Sequence, residues 1–146
     1  MKDQELDIIV DIFLSMKPII HKNLLFDFSK ANLQLSRSHI EIMSVLKRQG
    51  TIPTSEIGNK LSISKPQMTI LIDKLIDEGL VKRIPDKEDR RVIKISLTEK
   101  GEEKVIMFRS MIRENVKRKF ASLSENDLTN LAEAMKTMRD VISKLK

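Results

Sequence analysis

Between Ser64 and Lys74 the chain carries Ser64, Lys65, Gln67, Thr69 and Lys74, polar groups that a helix would leave pointing outward. A glutamine amide can pair with the N6/N7 edge of adenine through two parallel hydrogen bonds. A threonine can bond a base edge or lay its methyl on that of thymine, and a lysine can reach guanine or a phosphate. Further along stand Arg83, Lys87, Asp89, Arg90 and Arg91. A carboxylate shortly before an arginine can hold it by a charge-assisted bond, and Asp89 is so placed before Arg91. An arginine aimed in this way suits a narrow A·T-rich minor groove, where the negative potential is deepest. The chemistry on offer is recognition of a duplex. Taken singly, each group also reads as a solvated helix face or an ordinary charged hairpin, so the elements that carry them decide.

Those elements follow from caps and periodicity. Ser36 is a good N-cap for a helix through about Arg48, with Ile42, Met43, Val45 and Leu46 facing a core and Gly50 ending it. Thr54 is expected to cap a short helix, Ser55 to Leu61. Ser62-Ile63-Ser64 is a tight turn, Ser64 caps the next helix, and Pro66 falls in its first turn, where a missing N–H costs nothing. Met68, Leu71, Ile72, Leu75 and Ile76 repeat at helical spacing until Gly79 stops the helix. Val81 to Arg83 and Val92 to Leu97 read as the arms of a ribbon around a charged tip, Pro85 to Arg91. Two short helices about a tight turn, followed by a basic ribbon, make a winged helix-turn-helix. It occupies residues 35–98, with the recognition helix at about 64–78 and the wing at about 81–97.

The two ends of the chain read differently. From Asp3 to about Phe28 the apolar residues Leu6, Ile9, Val10, Phe13, Met16, Ile20 and Leu24 step by three and four, with Pro18 expected to kink or split the helix. Thr98 caps a helix from near Glu99 to Phe120, and Ser124 caps the last one. There Leu128, Leu131, Met135, Met138, Ile142 and Leu145 form a heptad seam. Too much apolar stripe is left over for a small winged lobe to cover. Residues 1–30 and 99–146 are therefore expected to be dimerisation helices, with Leu6, Ile9, Phe13 and the six seam residues at the interface with a second copy; the alternative is packing of these helices wholly within one chain. The fold class is mostly α with a small β-hairpin wing.

Composition narrows the function. The chain has 146 residues, a net charge of +6 and no cysteine, which fits an anionic partner and excludes thiol redox sensing and thiolate metal sites. Trp and Tyr are absent, so aromatic stacking on single strands is poorly supplied. The start, MKDQELDIIV, lacks the basic segment of a signal peptide. No apolar run approaches the roughly 18 residues of a membrane span. A cytoplasmic protein with no membrane partner is expected. Gly50, Gly58, Gly79 and Gly101 never cluster into a phosphate-cradling loop, and no His/carboxylate/Ser grouping has triad logic, so an enzyme is not expected. His21 and His39 lie on different helices without further ligands. No metal or cofactor is expected. Most of the methionines read as core fillers.

Asp89-Arg90-Arg91 followed by Ile93, Ile95, Leu97-Thr98 and Gly101 resembles the wing signature of the MarR family of bacterial transcription regulators. Ser64-Lys65-Pro66-Gln67-Met68-Thr69 with Leu71, Asp73, Leu75 and Gly79-Leu80-Val81 resembles that family's recognition helix and its exit, and Leu35-Ser36 with Ile40, Val45 and Leu46 resembles the preceding helix. The resemblance implies a homodimer that binds a palindromic operator, usually as a repressor, and lets go when a small lipophilic or phenolic effector arrives. It implies that Ser64, Lys65, Gln67 and Thr69 face bases or nearby phosphates, that Arg91 is the wing arginine supported by Asp89, and that Ser36, Arg37 and Ser38 lie near the DNA backbone. An effector would be sought near Met16, Ile20, Met43 and Met107. Many relatives carry Arg where this chain has Ile70, which removes a guanine contact and leaves apolar contact with thymine, or none. Gly58, where relatives often have Ala, is expected to loosen the short helix. The competing reading is a helical winged-helix adaptor that binds proteins.

Overall fold

In the computed structural model residues 1–24 and 34–145 are described. The chain divides into two compact units, one formed by Met1–Phe26 with Ile112–Lys146 and the other by Asp27–Met111.

The second unit holds α2 (Arg37–Gln49), β1 (Ile52–Pro53), α3 (Thr54–Leu61), α4 (Lys65–Asp77), β2 (Val81–Pro85), β3 (Ile93–Leu97) and the start of α5 (Glu99–Phe120). Ile42, Met43, Val45 and Leu46 of α2 pack with Ile57, Met68, Ile72, Leu75, Ile95, Val105 and Phe108 in one buried cluster. At ~2 kcal/mol for each buried aliphatic side chain, that cluster dominates what holds the unit together. The helix ends are closed by local bonds. The Ser36 amide donates to His39 Nδ1 at 2.9 Å, so His39 takes the place that Glu usually has in a capping box. At the end of α4, the Gly79 amide reaches the Ile76 carbonyl at 2.8 Å and the Leu80 amide the Leu75 carbonyl at 2.9 Å, with Gly79 at φ +71°. This is a Schellman stop. Thr98 caps α5 as expected, its Oγ1 accepting from the Gly101 amide at 3.0 Å and donating to the Gly79 carbonyl at 2.6 Å.

Several expectations need correction. The wing is part of a three-stranded antiparallel sheet in the order β1-β3-β2, with Ile52 opposite Ile95 and Pro53 opposite Lys94. That pairing moves Thr54 out of the capping role. It is the first residue of α3, with extended Pro53 at the N-cap, and its hydroxyl lies 3.4 Å from the Ile93 carbonyl. β2 runs on through Pro85, two residues further than its first arm was expected to.

In the first unit, α1 (Lys2–Asn23) continues through Pro18 as one helix. Its expected last turn, residues 25–28, lies outside the described residues. α6 (Glu125–Ile142) is capped by Ser124, whose hydroxyl accepts from the Asp127 amide at 3.1 Å. The helix stops at Ile142, so Leu145 of the seam lies beyond it. Neither α1 nor α6 buries a single described residue. The methionines are correspondingly split. Met43 and Met68 fill the core, whereas Met107, Met135 and Met138 are exposed, against the expectation that most are fillers.

Candidate nucleic-acid interface

The turn between α3 and α4 aims the interface. Ser62 adopts the left-handed conformation at φ 54°, and the Ile63 amide closes onto the Gly58 carbonyl at 2.9 Å. A Cβ on Gly58 would lie 3.1 Å from the Ile63 carbonyl oxygen and 3.2 Å from Met68 Cγ. Gly58 therefore lets the turn and α4 press closely against α3, a packing role beside the loosening expected from its lack of a side chain.

Ser64 then caps α4, its Oγ accepting from the Gln67 amide at 3.4 Å and lying 3.2 Å from Gln67 Oε1. The side-chain bond orients the Gln67 amide group while leaving its NH₂ free to donate. At 100° per residue, Pro66, Ile70 and Asp73 form a ridge opposite buried Met68, Ile72 and Leu75, with Lys65 and Thr69 on one flank and Gln67 and Lys74 on the other. All of these outward residues are exposed except Lys74, which is half-buried.

The structure separates the charged candidates into free and engaged groups. Lys74 Nζ is 3.0 Å from Glu78 Oε1. That hydrogen bond, with the charges of Lys74, Lys100 and Lys104, holds the Glu78 carboxyl below its ordinary pKa. Arg83 Nη2 is 2.5 Å from Asp73 Oδ1, so it ties β2 to the recognition helix and neutralises an acid on the outward ridge. Arg37 is paired with Glu41 at 2.9 Å. Ser36 is exposed and Ser38 half-buried at the start of α2. Lys65, Lys82, Lys87 and Arg90 are exposed and have no acidic partner among the described residues.

The wing is built on two aspartates. Asp86 accepts from Lys94 Nζ and from the Asp89 amide, each at 3.1 Å, and the Lys94 bond in the first place lowers its pKa. Asp89 Oδ1 accepts from the Arg91 amide at 3.0 Å and from its Nε at 3.2 Å, with Nη2 3.5 Å from Oδ2. The Arg91 side chain remains 91% exposed. Between α3, α4 and the wing lies a cleft of about 840 Å³ whose lining includes Thr54, Asn59, Lys65, Thr69, Arg83 and Arg91.

The remaining candidates are scattered. Met43 is fully buried and Met107 exposed, while Met16 is half-buried and Ile20 exposed in the other unit. None of the four lines this cleft or the smaller one, about 250 Å³, around Leu35, Lys100, Lys104 and Phe108. Leu6, Ile9, Phe13, Met135, Met138, Ile142 and Leu145 are exposed, and Leu128 and Leu131 half-buried. No helix among the described residues is long and apolar enough to cross a membrane. Sequence reasoning missed the Asp73–Arg83 tie, which joins two elements, and the cap formed by His39, which the Ser36-x-x-His39 spacing could have signalled.

Comparison with known proteins agrees with this geometry. The MarR family model matches residues 35–93. The HTH-type transcriptional regulator YpoP of Bacillus subtilis is 32% identical over 100 residues, 68% of this chain and 71% of that protein. The HTH-type transcriptional repressor MdtR of the same organism is 28% identical over 95 residues, 63% of this chain and 60% of that protein. In fold, the crystal structure of B. subtilis YusO superposes with a TM-score of 0.71 at 22% identity, covering 96% of this chain and 98% of that one. The capped helix, its glycine stop and the aspartate-held wing arginine thus sit in a shared framework, and the chain belongs to the MarR family of DNA-binding winged helix-turn-helix transcription regulators.

Proposed function

We propose that this protein is a homodimeric repressor that grips a palindromic operator with two winged units and releases it when a small lipophilic or phenolic effector binds. The observation that carries the DNA reading is the pairing of an uncovered α4 face with an arginine held at the wing by Asp89. Ser64, Lys65, Gln67 and Thr69 read the major groove or its edges. Arg91 enters the adjacent minor groove, and Lys87, Arg90, Ser36 and Ser38 meet phosphates. Lys74, Arg37 and Arg83 act indirectly, since each has an acidic partner and is less exposed than Arg91, whose paired side chain stays 91% open to solvent.

Residues 1–30 and 99–146 serve as dimerisation helices around the winged segment 35–98, and the protein works in the cytoplasm, where its operator lies. The bare apolar residues of α1 and α6 support this assignment. Repression is supported by MdtR, itself a transcriptional repressor. The effector rests on the family resemblance alone.

Selection from a random duplex library followed by footprinting tests the reading. It should return inverted half-sites about one helical turn apart, roughly 34 Å, with affinity falling steeply as salt rises. Recovery of no preferred duplex would contradict it.

A further inference from the structure

Ile70 is the most exposed large hydrophobic residue among the described residues of the winged unit, at 70%. Nothing in the fold accounts for it. It is a β-branched residue in the middle of a helix, where a straight-chain polar residue would lose less rotamer freedom, and it lies opposite the buried face of α4. Its neighbours define what it can read. Pro66, one turn earlier, extends the apolar ridge toward the helix N-terminus, the part of a recognition helix that meets base edges. Gln67 stands beside it with its amide oriented by Ser64. No long cation is free at this level of the helix, because Lys74 is held by Glu78 at 3.0 Å and the Asp73 carboxylate is taken by Arg83 at 2.5 Å. The centre of the reading face therefore offers an apolar contact beside an amide, with no free cation for guanine O6 and N7. In a B-form major groove the one apolar base feature is the C5-methyl of thymine, and the N6/N7 edge that suits an amide belongs to adenine.

We infer that Ile70 is a specificity-determining residue that packs against a thymine methyl in each half-site, next to an adenine read by Gln67. This rests on the DNA-binding function proposed above and adds the base class at the centre of the half-site. A·T pairs are favoured there for two independent reasons, and G·C pairs lose both contacts.

Replacing thymine by deoxyuridine removes the methyl and leaves every hydrogen-bonding group in place, so it isolates the proposed contact. The experiment takes the duplex returned by library selection, substitutes deoxyuridine one thymine at a time, and measures binding of the full-length protein and of Ile70→Ala by fluorescence anisotropy. Ile70 is exposed and alanine is the better helix former, so the variant should fold; circular dichroism checks this. For the wild type, one thymine per half-site should show about fourfold weaker binding on loss of its methyl. For Ile70→Ala, the thymine and deoxyuridine duplexes should bind equally. A wild-type protein indifferent to every deoxyuridine, or a variant as sensitive as the wild type, would overturn the Ile70 assignment while leaving the regulator reading intact. Failure to select any duplex would overturn both.

Discussion

Asp89 holds Arg91 through the backbone amide and the guanidinium together, yet nine-tenths of that side chain faces solvent. Exposed ion pairs of this kind add little to stability, so the pair is better explained as aiming a cation than as holding the wing together. Arg91→Ala should weaken operator binding about tenfold. Asp89→Ala should weaken it about threefold in the wild type and not at all in the Arg91→Ala background, a double-mutant cycle read by anisotropy. The pair was legible in the sequence because its members are close in the chain. Asp73–Arg83 was not, because only the fold brings β2 beside α4. His39 makes a second prediction at this scale. It is 9% exposed, it accepts the Ser36 amide at Nδ1, and its Nε2 has no partner. Burial, and then the charge of Lys74, lower its pKa from 6.5. The folded chain therefore binds this proton less readily than the unfolded chain. The contribution is complete above pH 6.5 and declines as pH falls below that value toward the lowered folded pKa, by at most ~1.4 kcal/mol per pH unit. Denaturant unfolding at about pH 7.5 and pH 5.5 should show that loss, and His39→Gln should reduce it.

The helices follow from caps and stops that act over a few residues, which is why α2, α4 and the start of α5 lie where Ser36, Ser64, Gly79 and Thr98 put them. β1 escaped notice because Ile52–Pro53 is too short to show alternation and exists through its pairing with β3. Lys74 was read as free although Glu78 stands four residues on, an i,i+4 spacing that marks a pair on one helix. Gly101 was visible only as part of a motif, and packing supplies its reason. A Cβ there would overlap the Leu80 carbonyl oxygen and lie 3.0 Å from Leu97 Cδ2, where the start of α5 crosses the start of β2. Gly101→Ala must displace one element or the other and should cost about 2 kcal/mol or more. Thermal unfolding would show it, and an unchanged midpoint would mean the crossing is looser than these contacts indicate.

For the molecule as a whole, the exposed apolar residues of α1 and α6 are the feature a solitary chain does not explain. Leu6, Ile9 and Phe13 share one stripe with Val10 and Ile20, all exposed to solvent, and an apolar surface of that extent marks an interaction site. Phe13→Glu should shift the protein toward a monomer. Because two linked winged units bind one duplex far more tightly than either alone, the variant should bind the operator about 100-fold more weakly. The three-and-four spacing of its apolar residues made this face legible in the sequence, and the same spacing pointed to a second copy as its partner. The most direct test is light scattering coupled to size exclusion, run on the free protein and on its complex with the selected duplex. The account predicts a free species of twice 16.9 kDa and a complex holding two chains per operator. A free species of 16.9 kDa, or a dimer that forms no complex with any duplex, would contradict it.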